Sequence, residues 1–169
     1  MSARGILLAA SLLLVTGQGA CRRDTVWPPS PAAVTYGEDA CTTCRMILAD
    51  EGFGGQLQDR SGQVAPFDDL GCLRAYVTNR PFELVGVFAR SFDGHAWIRG
   101  DAAWVVESHE LASPMAYGVA AFADEAAARR EAARHAGATV RTLARYLSSP
   151  SLAASSSSPL HSMSLPGGP

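Results

Sequence analysis

The stretch C-T-T-C-R-M places Cys41, Cys44 and Met46 within six residues. A disulfide needs only the two thiols, and zinc takes thiolate, imidazole or carboxylate rather than thioether. Thiolate together with thioether is the soft ligand mix that suits Cu(I). Thr42 and Thr43 disfavour a helix between the cysteines, so a turn is expected to bring both sulfurs to one side. If the chain then runs extended, Cys44 and Met46 share a face, because strand side chains alternate. Another thioether, Met115, lies in the loop S-P-M-A-Y-G, where Pro114 restricts the backbone beside it. The primary candidate metal ligands are therefore Cys41, Cys44, Met46 and Met115. His109, a few residues before Met115, and Cys72, beside Leu73 on an apolar helix side, are secondary candidates. A free cysteine is also a small buried hydrophobe, which is the plainer reading of Cys72.

Other readings of the cysteine pair stay open at this point: a structural disulfide, a thiol-redox motif, or half of a zinc site. A thioredoxin-like CxxC follows a buried strand and opens a helix, whereas polar T-Y-G-E-D-A precedes this one. No second CxxC or HxxxH offers to complete a zinc shell. Asp68 and Asp69 read as a helix cap rather than as paired catalytic acids. His95 follows a D-G turn, and His135 belongs to a helix end, where a cation suits the dipole. With no Ser/His/Asp set, phosphate-binding loop or HExxH motif, no enzymatic activity is expected.

The elements that must position these sulfurs form an α+β pattern. A strand over 54–59, a turn and a strand over 63–67 precede a helix over 68–79, which Pro81 stops, and a strand over 82–90 follows. A second set has strands over 102–108 and 116–123 and a helix over 124–137, capped by Asp124 and ended by Gly137. The segment from 138 to 147 begins as a strand. The expected domain, 36–147, thus contains two small ββαβ units packed together, about 40–91 and 92–147.

The chain has 169 residues and a formal net charge of −2, so no basic surface argues for nucleic acid. Residues 1–20 combine Arg4, an apolar run from Ile6 to Val15 and small residues, the pattern of an export signal too short to span a bilayer. Gly19-Ala20-Cys21 resembles a lipoprotein cleavage box with Cys21 as the lipidated residue, although Gln18 stands where that box expects an aliphatic residue. Ordinary cleavage near Ala20 is the alternative, and either route leads outside the cytoplasm. Residues 21–35 read as a proline-rich tether, and 148–169, with His161 and Met163, as a disordered Ser/Pro tail.

The lipoprotein signal, C-T-T-C-R-M, P-F-D-D-L-G-C-L-R-A-Y, A-W-V-V-E-S, S-P-M-A-Y-G-V-A-A-F-A-D-E-A-A-A and H-A-G, in that order, resemble the NosL-type accessory lipoproteins of nitrous oxide reductase. The resemblance implies a membrane-anchored, periplasm-facing Cu(I)-binding protein built from paired ββαβ units. Its partner would be nitrous oxide reductase or another exported copper enzyme. Two positions depart from the family pattern: Arg45 and Ala116 stand where glycine is common. Some members also offer a histidine near the second position, where this chain has Tyr117, so sulfur-only ligation, or His109, is expected instead. The rival is an envelope thiol-redox or non-metal interaction protein with a Cys41–Cys44 disulfide.

Overall fold

The computed structural model describes residues 26–78 and 80–149. The signal segment, Cys21, His161 and Met163 lie outside the described residues. Two small antiparallel sheets pack together in an α+β fold. The first has strand order β2-β1-β3-β4, from β1 (Gly55–Gln58), β2 (Val64–Phe67), β3 (Val87–Arg90) and β4 (Trp97–Arg99). The second has the order β6-β5-β7, from β5 (Trp104–Glu107), β6 (Val119–Phe122) and β7 (Thr139–Thr142). Helix α1 (Leu70–Val77) follows β2, α2 (Glu125–Ala132) follows β6, and α3 (Leu143–Ser148) follows β7. Each half therefore contains a ββαβ run whose first strand lies between the other two, and β4 extends the first sheet beyond β3.

Side-chain chemistry explains the layering. Gly55 faces α1: a Cβ there would lie 3.1 Å from a Leu70 methyl. Gln56 and Gln58 share the opposite face of β1 and are buried. Buried amides need partners, and these two find them in the proline-rich segment. Gln56 accepts from the Ala32 amide (2.9 Å) and donates to the Ala32 carbonyl (3.1 Å), while Gln58 donates to the Ser30 carbonyl (2.7 Å). Within the expected proline-rich tether, Ser30 and Ala32 are thus held against the first sheet.

In β5, Val105 and Val106 point to opposite faces and both are fully buried. Val105 joins a core shared by both halves, with Phe67, Leu70, Leu73, Val119, Leu143 and Tyr146. Val106 faces a smaller cluster under α2, with Phe122, Ala127 and Ala128. The sheets also meet through backbone: Ser91 and Ala121 form a parallel bridge, and the Phe92 amide bonds the Ala121 carbonyl at 2.8 Å.

Helix α1 begins after the Asp69 cap and ends at Thr78, whose hydroxyl bonds the Arg74 carbonyl at 2.7 Å. The expected helix over 124–137 is shorter. After Ala132 the chain tightens into i→i+3 bonds, Arg134 to Glu131 and His135 to Ala132, and Gly137 turns out at φ +68°. Three elements escape the sequence reading: β4, a single 3-10 turn at Leu84–Gly86, and α3, which Thr142 caps through the Arg145 amide.

Candidate metal centre

The chain folds back on itself before β1. Gly37 donates to the Leu48 carbonyl and Leu48 to the Asp39 carbonyl, each at 2.9 Å, and Ala40 bridges Ile47. At the tip, the Cys41 amide bonds the Met46 carbonyl at 2.8 Å and the Arg45 amide bonds the Cys41 carbonyl at 3.0 Å. Two further bonds fix this tip to the body. The Thr42 amide reaches the Pro66 carbonyl on β2 (2.8 Å), and the Thr43 hydroxyl reaches the Cys72 carbonyl on α1 (2.9 Å). The expected turn therefore does more than pair two sulfurs. The Sγ atoms of Cys41, Cys44 and Cys72 lie within 4.8 Å of one another. Cys41 and Cys72 are buried, Cys44 is half-buried, and all three are free thiols.

Metal–thiolate bonds of about 2.3 Å put three sulfurs round one ion about 4 Å apart. The observed spread of up to 4.8 Å is within about 1 Å of that value. Cys72, read from sequence chiefly as a buried hydrophobe, is buried and also stands in the thiol group. Helical spacing alone carries no signal for this, because the Thr43–Cys72 contact joins residues 29 apart.

Cys41 and Cys72 differ in acidity. Burial pushes the Cys41 thiol up, but the backbone N–H groups of Cys44, Asp68 and Thr43 at its sulfur outweigh this, and the net shift is downward. Burial and the neighbouring Cys41 and Cys44 hold the Cys72 thiol far above its ordinary value. Of these two thiols Cys41 ionises the more readily, and burial with its neighbours holds the proton on Cys72.

The two acids before α1 act as clamps. Asp68 accepts the Ala49 amide at 2.7 Å and so holds the end of the cysteine loop. Asp69 caps α1 through the Gly71 amide (2.8 Å) with one oxygen. Its other oxygen accepts the Ser113 hydroxyl (2.5 Å) and the Met115 amide (3.2 Å). Burial pushes its carboxyl up, partly offset by these bonds. The cap reading was correct and incomplete: Asp69 also ties the Met115 loop to the helix that carries Cys72.

Met115 is half-buried against the core cluster that contains Cys41 and Cys72. Met46 keeps 56% of its surface exposed. The expected alternation between Cys44 and Met46 does not hold, because Arg45 between them takes φ +66° and turns the chain out of the extended region. Ala116 takes φ +57°. The two positions at which the resemblance expects glycine therefore both take left-handed backbone. His109 is exposed in the wall of a neighbouring cavity and is not in the thiol group. Tyr117 lies across the first turn of α1, where a Cβ on Gly71 would come within 2.0 Å of its ring. The half-exposed ring thus packs beside Gly71, next in sequence to Cys72, and burial, then the nearby Cys72, Asp69 and Cys44, push its hydroxyl up.

The crystal structure of the copper chaperone NosL from Shewanella denitrificans is similar in fold, with a TM-score of 0.56 at 16% identity, over 68% of this chain and 93% of that one. No curated protein matches the sequence. The NosL family model matches residues 31–144, from the docked proline-rich segment through β7 and spanning every sulfur ligand candidate of the domain. On that match, the chain belongs to the NosL family.

Proposed function

We propose that this chain binds Cu(I) and hands it to an exported copper enzyme, with nitrous oxide reductase the recipient that the family resemblance implies. The observation that carries the reading is the convergence of Cys41, Cys44 and Cys72 within 4.8 Å from two separate elements. Its structural neighbour is described as a copper chaperone. Cys41 and Cys44 provide the thiolates, with Cys72 beside them, and Met115 and Met46 provide thioethers. Because metal replaces thiol protons, loading displaces the proton that burial holds on Cys72. Thioether is the weaker ligand, and exposed Met46 leaves as a recipient's ligands arrive. Lipidation at Cys21 would hold the protein at the envelope membrane, facing the periplasm. No helix among the described residues is long and apolar enough to cross a membrane.

Competition with a Cu(I) chelator tests the reading. Cys41→Ser/Cys44→Ser protein is expected to lose at least a hundredfold in affinity, about 2.7 kcal/mol or more. Unchanged affinity would remove the thiolates from the site. A Cys41–Cys44 disulfide that resists mild reductant and ignores copper would favour the envelope thiol-redox reading instead.

A further inference from the structure

Beside the thiol group, a cavity of about 480 Å³ opens between α1, the end of β5, β7 and α3, with Tyr117 and Gly71 in its wall. Two arginines and one acid, Arg74, Arg141 and Glu107, line it. Both guanidiniums lie against one ring: the Arg74 carbon is 4.8 Å and the Arg141 carbon 5.4 Å from the centroid of Tyr146. Arg74 is only 7% exposed. Arg141 pairs with Glu107 and reaches the Ser149 hydroxyl at 3.2 Å. Its Nε is buried and has no hydrogen-bond partner among the described residues.

Bringing two cations together in a partly buried place is costly unless anionic oxygen compensates. Burial, followed by the charge of Arg74, pushes the Arg141 guanidinium below its ordinary pKa, the mark of a crowded cationic site. A guanidinium presents a planar fork of donors suited to carboxylate or phosphate. The hydroxyls of Ser108 and Thr139, also in the wall, add neutral polar groups. A cavity of this size admits a small organic or inorganic ion rather than a folded partner.

We propose that this cavity binds a small multivalent oxyanion, a polycarboxylate or a phosphate, on Arg141 and Arg74. The site is separate from the sulfur centre and does not depend on copper.

Isothermal titration of the full, copper-free chain with citrate and, separately, with inorganic phosphate tests it. Saturable one-to-one binding of either is expected, and the tighter of the two identifies the ligand class. Arg141→Gln should weaken that binding at least tenfold, the loss expected for one charge-assisted contact. Glu107→Gln, which removes the carboxylate competing for Arg141, should tighten it severalfold, a change that mere destabilisation does not mimic. Absence of saturable binding by both ions overturns the proposal, as does equal affinity in the Arg141→Gln and Glu107→Gln proteins.

Discussion

Arg45 and Ala116 are non-glycine residues in left-handed backbone, and that conformation gives each a physical cost. Arg45 stands at φ +66° and Ala116 at φ +57°, in the region that L-residues disfavour because Cβ crowds the carbonyl. Glycine there relieves the strain but widens the unfolded ensemble, so the gain is the difference between the two effects. Arg45→Gly is expected to raise stability by about 0.5–1 kcal/mol, read as a higher thermal midpoint. A lower midpoint would show that the Arg45 side chain contributes more than the strain removes. Asp69 has the opposite character, since burial disfavours its charge while three donors need its oxygens. Asn still caps a helix, but one of its two terminal atoms cannot accept. Asp69→Asn is therefore expected to keep the circular dichroism of the fold, cost about 1–3 kcal/mol and loosen either the cap or the Met115 loop. Copper affinity should fall roughly tenfold, about 1.4 kcal/mol, in the same protein. Unchanged affinity would remove Met115 from the ligand set.

At the scale of elements, the two ββαβ units were legible because their strands and helices carry clear periods. V-A-P-F before Asp68-Asp69 and V-A-A-F before Asp124 each give a strand followed by a capped helix, and both helices start where the caps predict. The strand β4, the turn at Leu84–Gly86 and the helix α3 were not legible. The strand Trp97–Arg99 is too short for alternation to register, and α3 follows β7 with no intervening turn residue. The site divides the same way. Residue type and local spacing exposed Cys41, Cys44, Met46 and Met115 as candidates. Cys72 and Asp69 owe their places to contacts between residues 29 and 44 apart in sequence, which no local pattern records. The segment before residue 36 misled for a related reason: prolines predict stiffness, but only the buried Gln56 and Gln58 reveal that Ser30 and Ala32 are hydrogen-bonded to the sheet.

Over the whole molecule, the shared core between the halves makes the site depend on both. Cys41, Cys44 and Cys72 come from the first unit, and Met115 and Tyr117 come from the second. The same burial sets a pH response. Tyr146, at 1% exposure in that core, has its hydroxyl pushed up to about 12 by burial. Its proton is held more tightly in the folded than in the unfolded chain. The corresponding stability is complete below the unfolded tyrosine value near 10 and is lost as pH rises toward about 12. Cys72, also raised, shifts stability in the same direction. Unfolding free energies from urea titration are expected to fall between about pH 9 and pH 11.5, by roughly 2 kcal/mol through Tyr146, with the Tyr146→Phe protein showing the smaller fall. An equal fall in both would exclude Tyr146 as its source. X-ray absorption on the copper-loaded chain tests the sulfur centre most directly. A Cu(I) edge with sulfur as the main first-shell neighbour at about 2.3 Å is predicted. A shell of nitrogen and oxygen alone would contradict it.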